Sequence, residues 1–181
     1  MLDVAIVVVS DKILSGVQED TGKSDVLRIL QDGEMNVASY EVVADDRGKI
    51  AQRLRNLCEQ PSPHVILTVG GTGVRPSDWA PEATQDVIEK EIPGIGEAMR
   101  SESLKKVQAA MLSRGTAGIR KQTLIVNLPG SPKGTRENLK VLVPIVEHTV
   151  EKIRGMSLSA EKEHHAINRV VTTGRDTCCH G

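Results

Sequence analysis

The residues of this chain best suited to chemistry fall in a few polar or glycine-rich stretches. The richest runs from Thr68 through Gly70, Gly71, Thr72 and Gly73 to Asp78. An apolar run stops at Val69, and Pro81 stands where a helix can begin. Strand, glycine loop and helix start form a layout in which backbone N–H groups can face a phosphate. The same glycines equally suit a tight connection that needs positive φ. They match neither the phosphate-loop pattern, which needs Gly-Lys-Ser/Thr, nor the dinucleotide pattern Gly-x-Gly-x-x-Gly. Thr68 and Thr72 add hydroxyls suited to phosphate or ribose, and Trp79 either lines the pocket or packs its neck.

Two acids, Asp45 and Asp78, sit on separate loops. As a pair they could hold Mg²⁺, which takes oxygen ligands and bridges nucleotide phosphates. The alternative is helix capping, by Asp45 or Asp46 for the helix that follows and by Asp78 ahead of Pro81. A second glycine-rich loop, Pro129-Gly130-Ser131-Pro132-Lys133-Gly134, follows another apolar run and offers Lys133 to an anion. Arg114, beside Ser113, is a further anion contact by its type. Asn127 needs hydrogen-bond partners if buried, from the backbone or from a ligand. His164-His165 and Cys178-Cys179-His180 fit no zinc-ligand spacing and read as part of a polar tail.

These loops need a scaffold, and the hydrophobic pattern supplies one. Val4–Val9 reads as a strand buried on both faces, ended by Ser10 and Asp11. A helix over Lys23–Asp32, stopped by Gly33, leads to a strand over Val37–Val43 and the Asp45-Asp46 pair. Ile50, Leu54, Leu57 and Cys58 share one face of the next helix. Val65–Val69 is the third strand. Helices follow over Pro81–Ile92 and Gly96–Lys105, then strands over Ala117–Arg120 and Thr123–Leu128 around a polar turn. Leu139, Leu142, Val143, Val146, Val150 and Ile153 mark a long last helix, which Pro144 should kink or divide.

Alternating strands and helices imply βαβ units, hence an α/β three-layer sandwich: a mostly parallel central sheet flanked by helices, plus a small hairpin. In such sheets ligands bind beyond the carboxyl ends of the strands. Ser10-Asp11, Asp45-Asp46, Gly70 to Asp78 and Pro129 to Lys133 all fall at strand ends of that kind, so one shared pocket is expected.

Composition narrows the function classes. The 181 residues suit one domain over 1–155 with a polar, partly disordered extension over 156–181. With 23 basic and 24 acidic side chains, no basic field exists to neutralise a duplex. Phe is absent and Tyr and Trp occur once each, which removes the aromatic platform of single-strand binders. Three cysteines make no disulfide framework, and no apolar stretch reaches the ~20 residues that span a bilayer. A soluble, reduced, cytoplasmic protein without nucleic-acid or membrane partners is expected.

The ordered motifs carry a resemblance. Val8-Val9-Ser10-Asp11, Ser15-Gly16 with Asp20-x-Gly22, Ala44-Asp45-Asp46 and Thr68-x-Gly70-Gly71-Thr72-Gly73 come first. Asp78-x-x-Pro81-Glu82-Ala83-Thr84, Ile92-Pro93-Gly94, Met111-Leu112-Ser113-Arg114 and Asn127-Leu128-Pro129-Gly130-Ser131-Pro132-Lys133 follow. In this order they resemble the molybdopterin adenylyltransferase family, related to the G domain of gephyrin and its plant counterpart. The resemblance implies a homotrimer that uses ATP and Mg²⁺ to adenylylate molybdopterin in molybdenum cofactor biosynthesis, with pyrophosphate released. A downstream molybdenum-inserting protein is the further partner.

Carried onto this sequence, the resemblance makes Asp45 and Asp78 the catalytic, Mg²⁺-holding acids. It places nucleotide or pterin on Ser10, Asp11, Asp20, Thr68, Gly70, Gly71, Thr72 and Gly73. Glu82, Ser113, Arg114, Asn127, Pro129, Gly130, Ser131 and Lys133 complete that set. Ser77 and Trp79 flank Asp78 where the family commonly has Arg and Val, and Arg75 is the residue placed to restore the charge. That departure favours, as the alternative, a non-catalytic member that binds or scaffolds molybdopterin. A third reading is a different nucleotide-dependent phosphoryl enzyme on the same fold.

Overall fold

A computed structural model describes residues 1–59 and 63–155 of the chain. The element order is β1 (Leu2–Val9), α1 (Asp11–Leu14), α2 (Lys23–Asp32), β2 (Met35–Val43), α3 (Arg47–Glu59), β3 (Val65–Val69), α4 (Ala80–Gln85) and β4 (Lys90–Glu91). Then come α5 (Pro93–Leu104), a 3₁₀ turn (Gln108–Leu112), β5 (Ala117–Arg120), β6 (Thr123–Leu128) and α6 (Pro132–Arg154). The expected α/β fold is the one found.

The six strands form one sheet in the order β2-β1-β3-β6-β5-β4. β2, β1, β3 and β6 run parallel, whereas the β5–β6 hairpin and the short β4 close one side antiparallel. β1 shows why the sheet must have three layers. Val4, Ile6 and Val8 enter one core with Leu30, Leu139, Leu142 and Val146 of α2 and α6. Ala5, Val7 and Val9 enter the other with Ile50, Leu54 and Leu57 of α3 and Ala80 and Ala83 of α4. Alternate side chains of a strand point to opposite faces, so an unbroken apolar run requires a cover on each side.

One expectation about helices fails and another is narrowed. The helix expected over Pro81–Ile92 ends at Gln85, and Lys90–Glu91 become an edge strand. The backbone of Glu89 donates to the Ile119 carbonyl at 2.7 Å and that of Ile92 to the Ala117 carbonyl at 2.8 Å. The open edge of β5 thus captures a segment whose local pattern is helical, a tertiary override of propensity. Pro144 does not divide the last helix, which runs through it for 23 residues and stops at Gly155 in the left-handed conformation. Pro144 and Lys140 are both exposed, so the ladder bond that Pro144 cannot donate is missing between two exposed residues. The histidine and cysteine pairs of the tail lie outside the described residues.

Candidate functional site

Because β1, β2, β3 and β6 are parallel, their carboxyl ends lie along one edge, as the shared-pocket expectation requires. The chain order places β2 on one side of β1 and β3 on the other, which opens a crevice where the connections diverge. Residues 113–116 reach the same edge from afar. β5 is antiparallel to β6, with Ala117 opposite Val126, so the segment before β5 enters beside the end of β6.

The first glycine loop owes its shape to backbone constraints. Gly70 has φ +104°, and a Cβ there would stand 2.6 Å from the Val9 carbonyl oxygen. A Cβ on Gly130 would stand 3.1 Å from Gly70 Cα, so bare glycines let the β3 and β6 loops touch. Among the described residues, the N–H groups of Gly71, Thr72, Gly73, Gly130 and Ser131 meet no protein acceptor. Two adjacent loops therefore present unpaired donors at one edge, the requirement for a phosphate cradle.

Asp78 is buried at 5 % exposure. Its Oδ2 accepts the Arg75 N–H at 2.8 Å, and the Arg75 Nε lies 3.6 Å from the same oxygen. Arg75 is thus the cation beside Asp78, as the sequence suggested. Asp45 works differently. Its Oδ2 accepts the Asp11 N–H at 2.9 Å, and its own N–H donates to Asp11 Oδ1 at 3.1 Å, tying the ends of β1 and β2 together. The α3 cap is Asp46, whose Oδ1 accepts the Lys49 N–H at 2.8 Å. The capping alternative is therefore divided, with Asp46 taking the helix and Asp45 left facing the edge.

Two expected ligand contacts are buried instead. Thr68 and Asn127 are 0 % and 1 % exposed and sit under the loop. Asn127 Nδ2 donates to Thr68 Oγ1 and Thr84 Oγ1, each at 2.8 Å, and its Oδ1 accepts the Thr116 N–H at 3.2 Å. These side chains spend their hydrogen bonds on one another, so their role is to hold the loop from below. Arg114 is exposed, and its guanidinium braces the same loop. Its Nε donates to the Gly73 carbonyl and its Nη2 to the Asp78 carbonyl, both at 2.6 Å, while Nη1 pairs with Glu82. The Arg114 N–H also donates to the Thr72 carbonyl at 2.9 Å. One guanidinium fork fixes both ends of the loop that carries Asp78.

The remaining candidates line the same edge. Ser10 caps α1, its Oγ accepting the Ile13 N–H at 3.2 Å. Ser131 caps α6, accepting the Gly134 N–H at 3.2 Å, with exposed Lys133 in the first turn of that helix. Ser113 stands just before Arg114, its carbonyl and that of Gly115 held by Arg100 Nη1 at 3.4 and 2.8 Å. Asp20 accepts a hydrogen bond from Tyr40, whose ring lies 4.6 Å from Lys23 Nζ. Burial first, then the Asp20 carboxylate, hold the Tyr40 phenol well above its usual range, so it stays a donor. Sequence reasoning missed Tyr40, Thr84, Thr116 and Arg100. Tyr40 was visible as the only tyrosine, and Thr84 lay inside a motif already singled out; the other two gave no signal.

The carboxylates suit a hard divalent cation. Asp45 Oδ1 and Asp78 Oδ1 accept no hydrogen bond from the described residues, and Glu82 Oε2 is a buried acceptor with no partner. Among the described residues no group of three His, Cys, Asp or Glu converges as a metal cage. A metal here would depend on two carboxylates and on phosphate oxygens brought by the ligand, which is how Mg²⁺ is commonly held.

Comparison with known proteins adds an independent finding. Residues 5–148 match the family described as "Probable molybdopterin binding domain". The chain is 37 % identical over 165 residues to molybdopterin adenylyltransferase of Helicobacter pylori, covering 90 % of this chain and 94 % of that one. It is 40 % identical over 141 residues to the Escherichia coli enzyme of the same name, covering 77 % of this chain and 72 % of that one. Among solved structures, the molybdopterin biosynthesis enzyme MoaB of Thermus thermophilus superposes with a TM-score of 0.81 at 43 % identity, over 86 % of this chain and 98 % of that one.

Proposed function

This chain belongs to the molybdopterin-binding domain family of molybdenum cofactor biosynthesis, and we propose that it adenylylates molybdopterin with MgATP, releasing pyrophosphate. The observation that supports this most is the meeting of two glycine loops, with unpaired N–H donors, beside Asp45 and Asp78 on one sheet edge. The terminal phosphate of the pterin is already an anionic nucleophile, so no activated Ser or Cys is needed. One of its oxygens bonds to the α-phosphorus of ATP, and the bond from that phosphorus to the bridging oxygen of pyrophosphate breaks. The protein must bring two polyanions together, align them and offset the charge on the leaving group.

Each part of the edge then has a task. The N–H groups of Gly71 to Gly73 and of Gly130 and Ser131 orient phosphate oxygens, and Lys133 adds a positive charge. Asp45 and Asp78 would hold Mg²⁺, which supplies charge neutralisation to the ATP phosphates. Arg114 and Glu82 keep the Asp78 loop in place, and Asn127 supports it from beneath. Homotrimeric assembly, action in the cytoplasm and delivery of product to a molybdenum-inserting protein belong to the same reading. Sedimentation, fractionation and pull-down with a purified inserting protein are their tests.

The direct test incubates the purified chain with ATP, Mg²⁺ and molybdopterin and follows pyrophosphate. Asp78→Asn should lower turnover at least ~100-fold while the protein still binds ATP. Unchanged turnover would remove Asp78 from the mechanism. Pterin binding without Mg²⁺-dependent use of ATP, by wild type, would instead establish a scaffolding member. Complementation of a strain unable to adenylylate molybdopterin tests the same conclusion in cells.

A further inference from the structure

Beside the glycine-loop edge, on the flank formed by α2, the end of α5 and the start of α6, lies a groove of about 580 Å³. Arg28, Lys106, Lys133, Arg136 and Lys140 line it, against only Glu102 and Glu137. The chain as a whole carries a net charge of −1, so this positive field is local. Its cations are also incompletely neutralised. Arg28 and Arg136 share one carboxylate, Asp25, at 3.4 and 2.8 Å. Lys106 pairs with Glu137 at 3.3 Å, and Glu102 pairs with Lys105 at 2.6 Å. Among the described residues Lys133 and Lys140 meet no carboxylate at all.

The arrangement has direction. Lys133, Arg136 and Lys140 recur at three- and four-residue spacing, on one face of α6. They form a stripe about 10 Å long at 1.5 Å per residue. It starts at the glycine-loop edge and leads away from it. Its first member, Lys133, belongs to the loop already assigned to phosphate; the others lie outside the nucleotide and pterin contacts.

We infer that this groove docks an acidic, extended segment of a partner protein, holding that partner next to the strand-end site. The mixed lining selects this occupant. A polyphosphate or nucleic-acid strand would carry negative charge at every position and meet Glu102 and Glu137 as like charges. An acidic peptide can place carboxylates on the unpaired lysines and hydroxyl or N–H donors on the two glutamates, and Val141 gives its stem an apolar contact. Complementary charge of this kind fixes orientation and speeds encounter, and it weakens as salt screens it. Docking does not depend on the adenylyl-transfer reading, because none of Arg28, Lys106 and Lys140 is among the residues given a part in that chemistry.

The test titrates the full chain with a fluorescein-labelled ten-residue peptide of alternating Glu and Ser, by fluorescence anisotropy at low and at 0.3 M salt. Sodium triphosphate and a ten-nucleotide single strand are the competitors. Saturable binding is expected, weakened at least tenfold by Lys106→Glu with Lys140→Glu and by the higher salt, with neither competitor displacing the peptide at equal charge. Circular dichroism shows whether the double variant is folded, and Arg28→Glu is the second variant if it is not. Absence of peptide binding, binding that survives charge reversal, or displacement of the peptide by triphosphate or oligonucleotide at equal charge each overturns the proposal. A change in sedimentation of the double variant also overturns it, since a second copy of the chain would then be the occupant. Pyrophosphate release by the same variants, measured in parallel, separates loss of docking from loss of chemistry.

Discussion

The two glycine loops both present N–H groups unpaired among the described residues but are held by different means. Pro129 to Lys133 is held locally: Ser131 Oγ accepts the Gly134 N–H, and Thr135 Oγ1 donates to the Pro129 carbonyl at 2.6 Å. Gly70 to Asp78 is held from a distance, by Arg114 from the segment before β5, by Asn127 from β6 and by the close passage of Val9. A loop that carries its own cap can form once its helix forms. A loop fixed by residues 36 or more positions away needs the whole sheet first. The loop that carries Asp78 is therefore the one whose geometry depends on the complete fold.

Substitutions can break this contrast in order of expected effect. Gly70→Ala should do most damage, because it imposes left-handed backbone strain of about 1–3 kcal/mol and a clash with Val9. Loss of pyrophosphate release together with a lowered urea midpoint is the expected result; a fully active, equally stable variant would show that the loop tolerates a side chain. Arg114→Lys keeps the charge but loses the fork, which reaches two carbonyls and a carboxylate together. Turnover should fall roughly tenfold or more with the fold retained, a change of about 1.4 kcal/mol or more in the barrier. Arg114 in a direct binding role would instead raise KM and leave kcat in place.

Ser131→Ala probes the locally held loop and should have the smallest effect. Removing one N-cap costs about 1 kcal/mol. In a domain of this size the thermal midpoint should drop by roughly 2–4 °C, with turnover changed far less than in Arg114→Lys. If Ser131→Ala cost as much activity as Arg114→Lys, the two loops would be equally coupled to the chemistry and the contrast would fail.

Much of this was legible in one sequence. β3, β5, β6 and α2 lie where periodicity placed them: Gly22 and Gly33 flank α2, Gly70 ends β3, Pro129 ends β6, and the polar Lys121-Gln122 turn separates β5 from β6. α4 and β4 were not legible. Val87 and Ile88 continue a helical pattern, and only the unpaired edge of β5 diverts the chain into a strand. Asp45 and Asp46 are neighbours of the same type, and nothing local says which of them caps α3.

The sequence by itself determined the layers, the parallel core and the four loops at one edge. Those follow from side-chain hydrophobicity and from the two periods of backbone structure, both of which are local. Only the tertiary structure decided the roles within that edge. Asn127 and Thr68 became supports, Arg114 became a clamp, and Lys133 joined a basic groove. Each of those outcomes depends on which backbone carbonyl or carboxylate is brought within hydrogen-bond reach. That distance is set by strand order and packing, which no run of adjacent residues encodes.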